Sequence, residues 1–171
     1  AGSEASRLGI RYAAGFAAVA ATGLIAAAWQ SGFSTLVPLA IAAPLGLQQI
    51  FADAARKGRS LLAELAGAVA ISSSSALLAV AGGFSWPAAL ALWAVFACRF
   101  VPSVLYVRNR LLLEKGKLYF QASPVVAHAF AVAAVAALAS VSLASWLTVG
   151  MFIFLLMRSA FGLSSRRTKM K

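Results

Sequence analysis

The chain has little charge, and acidic residues are the scarcest of all. Only 11% of its 171 residues are charged, and four Asp and Glu stand against 15 Lys and Arg, a formal net charge of +11. Soluble domains carry about 25% charged and about 45–50% apolar residues, whereas 62% of this chain is hydrophobic. These proportions exclude an ordinary water-facing surface and predict a membrane protein.

Cysteine and histidine are nearly missing as well, with one Cys98 and one His128. This scarcity excludes a disulfide framework and leaves no ligand set within the chain for zinc, an iron–sulfur cluster or a bis-histidine haem. We therefore predict no metal and no other cofactor. Cys98 lies in an apolar run, which is typical of a small buried hydrophobe.

Long apolar runs are what the chain has in abundance. A helix crosses the bilayer core of about 30 Å with about 20 apolar residues, and six such runs occur between charged and turn residues. They predict an all-α, polytopic transmembrane helical bundle that forms one domain over residues 1–171. The predicted spans are 10–28, 35–52, 61–81, 86–107, 124–141 and 146–163.

The positions of the basic residues predict the topology. The connectors at 30–33, 82–85 and 142–145 carry no charge, whereas the Lys and Arg residues cluster at every other junction and at both ends. By the positive-inside rule, three hairpins then place both termini of this multi-pass protein in the cytoplasm. The clusters are Arg7 and Arg11; Arg56, Lys57 and Arg59; Arg108, Arg110, Lys115 and Lys117; and Arg158 with Arg166, Arg167, Lys169 and Lys171.

Ionisable residues inside the spans are costly and are therefore candidates for function. Glu64, Arg99 and His128 qualify. Arg99 precedes Arg108 by nine residues, which places it roughly 13 Å deeper along its helix at 1.5 Å per residue.

One face of the fourth span carries several polar groups. Arg99, Ser103, Tyr106 and Arg110 follow one another at spacings of four, three and four residues, so they share a helix face. We expect a cavity that opens to the cytoplasm, lined by polar groups and rimmed by Lys and Arg. The ligand- or lipid-binding candidates are Glu64, Arg99, Tyr106, Arg108, Arg110 and His128; no catalytic or metal-ligating residue is predicted.

Structural roles remain open for the same residues. Glu64 would also suit the positive end of its helix or pair with Arg59, and Arg99 would serve as a structural partner for Glu64. His128 would equally be a hydrogen-bonded packing residue. The serines at 72–75 would bond to preceding carbonyls, as serines in helices often do.

Three stretches resemble the YwiC-like family of bacterial integral membrane proteins. They are residues 60–68 (SLLAELAGA), 101–111 (VPSVLYVRNRL) and 158–167 (RSAFGLSSRR). The resemblance implies a multi-pass protein of the bacterial inner (plasma) membrane and a set of recurring positions, but no established activity. These positions are Arg59, Glu64, Pro102, Tyr106, Arg108 and Arg158.

The family usually opens with a Glu-His-Gly-Ala-Trp motif, which this chain lacks, and the first residue is Ala. Two expectations follow from the resemblance: the chain lacks the family's N-terminal part, or it is a divergent member.

Three functions fit the sequence. The first is a non-catalytic structural or accessory subunit of a membrane complex that contacts anionic or isoprenoid lipid, with membrane lipids and other membrane subunits as partners. The alternatives are a lipid-handling enzyme resembling the polytopic prenyltransferases and a small transporter. Nucleic-acid binding is disfavoured because the basic residues are scattered over short membrane-proximal loops.

Overall fold

The protein is helical throughout the part that the structure covers. This computed structural model describes residues 2–116 and 122–164, without the side chains of residues 2–6. Over these residues it has six α-helices, one 3-10 turn at Phe33–Leu36 and no strand. The helices are α1 (Gly2–Ser31), α2 (Val37–Ala54), α3 (Leu61–Ala81), α4 (Trp86–Glu114), α5 (Ala122–Ser140) and α6 (Trp146–Gly162).

Five of these helices are long and apolar enough to cross a membrane, and α6 is a shorter apolar helix of 17 residues. At 1.5 Å per residue α6 is about 25 Å long, near the lower limit for a span. The predicted class, a helical membrane bundle, is confirmed.

Neighbouring helices in the chain are neighbours in space. From α2 to α6 each helix packs against the next, and α6 also touches α4. Small side chains allow this close approach: Ala76 and Ala79 of α3 meet Ala89 of α4. Helix α1 packs against the 3-10 turn and α3, where Ser31 Oγ donates to the Ala81 carbonyl at 3.1 Å.

Some helix boundaries differ from the predicted spans. Helix α4 continues to Glu114, seven residues past the predicted end at 107, because Arg108 and Arg110 are tolerated in a helix that leaves the apolar layer. Helix α2 begins at Val37, after the 3-10 turn, so Pro38 occupies its first turn. Proline fits this position, because the first turn of a helix needs no hydrogen bond from its backbone nitrogen.

The described basic clusters after α2 and α4 lie at one end of the bundle, here called the basic end. Arg108 Nη1 donates to the Arg59 carbonyl at 2.9 Å, joining the end of α4 to the start of α3. Arg110 Nη1 donates to the Gly162 carbonyl at 3.0 Å, joining α4 to the end of α6. Lys117 and the tail from Arg166 to Lys171 lie outside the described residues.

Candidate functional site

The structure separates the predicted candidates into three places, so the expectation of one shared cavity is wrong. Three line a small cavity, two line a groove on another side of α4, and one joins two helices. The cavity has Arg99, Tyr106 and His128; the groove has Glu64 and Arg108; Arg110 joins α4 to α6.

The small cavity lies between α4, α5 and α6, in the half of the bundle nearer the basic end. The centre of a water-sized group can move through about 30 Å³ of it. This room suits one compact polar group rather than a lipid chain. The lining residues are Arg99, Ser103, Tyr106, His128, Leu155, Arg158 and Ser159.

Arg99 is held by its own helix. Its Nη1 makes a close contact with Ser103 Oγ, and Ser103 Oγ donates to the Arg99 carbonyl at 2.6 Å. The helical spacing of four residues brings the two side chains together. The alternative in which Arg99 is the structural partner of Glu64 is not what the structure has, because Glu64 forms its ion pair with Arg108.

Arg158 and Ser159 of α6 complete the cavity. The Arg158 guanidinium carbon lies 6.0 Å from the centroid of the Tyr106 ring, within the range of a cation–π contact. Ser159 is 2% exposed and its Oγ has no hydrogen-bond partner. Arg158 was predicted to lie at the cytoplasmic edge, and Ser159 was not among the predicted site residues, because no spacing in the sequence links either of them to Arg99.

His128 is buried on α5 with 5% of its surface exposed. Its Nδ1 lies 2.7 Å from the Pro124 carbonyl. Because a carbonyl oxygen only accepts, Nδ1 carries the proton in this hydrogen bond. His128 is thus both the hydrogen-bonded packing residue that was considered and a wall of the cavity.

The groove is far larger and differs in character. It measures about 900 Å³ by the same criterion and runs along α3 and α4, with Gln49 of α2 at its edge. Most of its wall is apolar, and its charged residues gather at the basic end. The apolar wall includes Ile71, Phe100, Val104, Val107, Leu111 and Leu112, and the charged residues are Arg59, Glu64, Arg108 and Lys115.

Glu64 forms its ion pair with Arg108. The Oε2 of Glu64 lies 3.2 Å from Arg108 Nη1, and the two side chains are 33% and 39% exposed. The predicted pairing with Arg59 is wrong, since Arg59 contributes its carbonyl to Arg108 rather than its guanidinium to Glu64. Such an exposed pair contributes at most about 1 kcal/mol to stability, so Arg108 stays available to an anion in the groove.

Arg110 connects helices and lines neither the cavity nor the groove. It is 9% exposed, donates to the Gly162 carbonyl and pairs with Glu114 one turn away. The sequence analysis left Glu114 out, although its spacing of four residues from Arg110 is the usual signal for a helical ion pair.

The serines at 72–75 take the structural role that was considered for them. Each Oγ donates at 2.7 Å to the carbonyl three residues earlier. Ser72 Oγ also accepts from the indole Nε1 of Trp93 at 3.0 Å, a link between α3 and α4 that the sequence analysis did not foresee. Among residues 2–116 and 122–164, no three His, Cys, Asp or Glu side chains form a group that could hold a metal ion.

Apolar helices in antiparallel order, with polar groups inside the bundle and basic residues at one end, define a multi-pass membrane protein. Residues 3–80 match the model of a protein family described as YwiC-like protein. The predicted resemblance to the YwiC-like family is therefore confirmed. Of the three resembling stretches, only 60–68 lies within the match. No curated protein and no solved structure matches the chain.

Proposed function

We propose that this protein is a non-catalytic accessory subunit that holds an anionic lipid in the groove along α3 and α4. The observation that carries the proposal is the groove itself: about 900 Å³ with an apolar wall and three basic residues at one end. Sites for small ligands usually measure about 300–1,000 Å³, so there is room for a headgroup and part of a chain.

The charges of the groove favour an anionic headgroup. Arg59, Arg108 and Lys115 stand against a single carboxylate, Glu64. Each basic residue near a membrane surface contributes about 1 kcal/mol to the attraction of anionic lipid. The apolar wall would receive an acyl or isoprenoid chain, while the basic end keeps the phosphate near the headgroup layer.

Two double variants test this proposal with equal loss of charge. Arg59→Gln with Lys115→Gln removes two charges that line the groove, whereas Arg56→Gln with Lys57→Gln removes two charges from the same basic end that do not line it. The full chain is placed in phosphatidylcholine nanodiscs with a small fraction of phosphatidylglycerol, and bound lipid is counted by native mass spectrometry.

We expect the groove variant to lose about 2 kcal/mol of affinity for phosphatidylglycerol, roughly thirtyfold. The control variant loses the same general attraction of the surface but keeps every charge that lines the groove, so we expect it to retain clearly more bound phosphatidylglycerol than the groove variant. Repeating the titration with a polyprenyl phosphate distinguishes an isoprenoid chain from an acyl chain. Equal binding by both double variants, or no enrichment of any anionic lipid, would contradict the proposal.

No observation favours the two alternative functions, a lipid-handling enzyme and a small transporter, and they stay predictions from the sequence. The partnership with other membrane subunits and the bacterial inner membrane location are part of the proposal. The accessory role rests on helix α1, whose residues 7–23 are exposed along their whole length.

A further inference from the structure

Among the described residues, those that line the cavity between α4, α5 and α6 include two arginines and no carboxylate. Arg99 and Arg158 both line it. Three of the four acidic residues are engaged elsewhere: Asp53 accepts from Gln49, Glu64 pairs with Arg108, and Glu114 pairs with Arg110. The fourth, Glu4, belongs to α1, a helix that packs against α3 and the 3-10 turn.

An unpartnered hydroxyl faces the same space. Ser159 lines the cavity, is 2% exposed, and its Oγ makes no hydrogen bond. A buried hydroxyl without a partner costs about 1–3 kcal/mol. The unpartnered hydroxyl of Ser159 is an observation independent of the two arginines. It indicates that a ligand supplies the missing hydrogen-bond partner.

We propose that this cavity binds one compact oxyanion of the phosphate type. Arg99 and Arg158 supply the positive charge, and Ser159 Oγ donates a hydrogen bond to an anion oxygen. Charge-assisted hydrogen bonds of this kind are the strong ones, and the Arg guanidinium has several donors for oxyanions. The cavity shares Ser103 with the lipid groove, but Arg99, Arg158 and Ser159 do not line the groove, so the proposal does not depend on the function proposed for the groove.

The oxyanion could be free phosphate or the phosphomonoester headgroup of a lipid. The size of the cavity is compatible with either source. Its room of about 30 Å³ for a water-sized centre admits one phosphoryl group, while an attached chain would have to remain outside. Two arms of one experiment therefore distinguish the sources.

The experiment measures the binding of inorganic phosphate to the full chain in a neutral detergent, by calorimetry at constant ionic strength. In the second arm the chain is placed in phosphatidylcholine nanodiscs with or without phosphatidic acid, and the phosphorus resonance of the monoester is followed by NMR. The test variants are Arg99→Gln and Ser159→Ala. Their matched controls are Arg11→Gln on α1 and Ser74→Ala, an exposed serine of α3.

We expect Ser159→Ala to weaken binding about tenfold and Arg99→Gln about a hundredfold, whereas both controls bind as the natural sequence does. Without phosphate, Ser159→Ala is expected to unfold at the same or a higher temperature, because it removes only a hydroxyl that has no partner. Ser159→Ala therefore decides the matter even if Arg99→Gln fails to fold.

The outcomes separate clearly. A response to inorganic phosphate that depends on Ser159 shows a site for the free anion, and a response to phosphatidic acid alone with the same dependence shows a headgroup site. Absence of a response in both arms, or equal responses from Ser159→Ala and Ser74→Ala, would overturn the proposal.

Discussion

Gly162 lies at a close contact between α6 and Tyr106 of α4. A Cβ built on it would collide with the hydroxyl of Tyr106 and lie 2.9–3.0 Å from two carbons of its ring, while its carbonyl accepts from Arg110. We predict that Gly162→Ala destabilises the protein by about 1–3 kcal/mol, as overpacking of a well-packed contact usually does. Chemical unfolding in detergent, followed by circular dichroism, measures this loss.

Gly150 provides the control within the same helix, because a Cβ there meets nothing within 4 Å. Alanine is the better helix former by about 0.5–1 kcal/mol, so Gly150→Ala is expected to be neutral or stabilising. If both substitutions changed the free energy of unfolding alike, the close contact at Gly162 would be refuted.

At this scale the sequence indicated which residues are polar at membrane depth, but not what they touch. Arg99 and Tyr106 were predicted to share one face of α4, and both line the cavity. Their partners on α6, Arg158 and Ser159, are more than 50 residues away in the chain, and no spacing rule connects them. An ion pair between side chains four residues apart on one helix can be predicted from the sequence, because helix geometry brings the two together. Arg110 and Glu114 are such a pair.

Trp93 of α4 makes a polar link to α3 among the small side chains of the seam between these helices. The indole Nε1 of Trp93 donates to the Val69 carbonyl at 3.1 Å and to Ser72 Oγ at 3.0 Å. We predict that Trp93→Phe, which keeps a ring but removes the donor, costs about 0.6–1.7 kcal/mol, the range found for hydrogen bonds between membrane helices. Unfolding by denaturing detergent is the measurement.

Trp86→Phe is the matched control, since Trp86 is 40% exposed at the start of the same helix. Its effect should stay within about 0.5 kcal/mol, as for most surface substitutions. A loss at Trp86 as large as that at Trp93 would show that ring size, and not the hydrogen bond, determines the stability of the seam.

Helix limits were predictable where the sequence carries a chemical signal for them. The predicted span 61–81 coincides with α3, because Ser60 Oγ accepts from the Ala63 amide at the start and Gly82 follows the end. The end of α4 was placed too early, since a charged residue ends an apolar run without ending a helix. The helix stops instead near Gly116, whose φ of +64° favours glycine.

For the whole molecule, composition and charge pattern were enough to predict six helices in antiparallel order. They were not enough to predict two separate polar sites. The sequence predicts how deep a residue lies along its helix, because the rise per residue is fixed. It does not predict which side of α4 faces α3 and which faces α6, because that depends on how the helices pack. Glu64 of α3 therefore lines the groove between α3 and α4, whereas Arg99 of α4 lines the cavity towards α5 and α6, although both belong to the half of the bundle near the basic end.

Helix α1 is rich in alanine and packs against few other parts of the protein. Residues 7–23 are exposed along their whole length, and its packing is confined to α3 and the 3-10 turn. Alanine contributes little to membrane insertion, and small residues allow close helix contact. We therefore predict that a helix of another membrane subunit packs against the face formed by Ala14, Ala18 and Ala21.

Bulky substitutions on α1 test this prediction. Ala14→Trp with Ala18→Trp should reduce the share of the protein that elutes in a larger assembly after mild detergent extraction, because the added rings keep a partner helix away. Val19→Trp, about 140° around the helix from Ala14 at 100° per residue, should leave that share unchanged. Elution of the natural sequence as a lone chain, or equal effects of both changes, would mean that lipid rather than protein covers α1. The Ala14 and Ala18 face can thus be assigned to a subunit or to the bilayer by one size measurement.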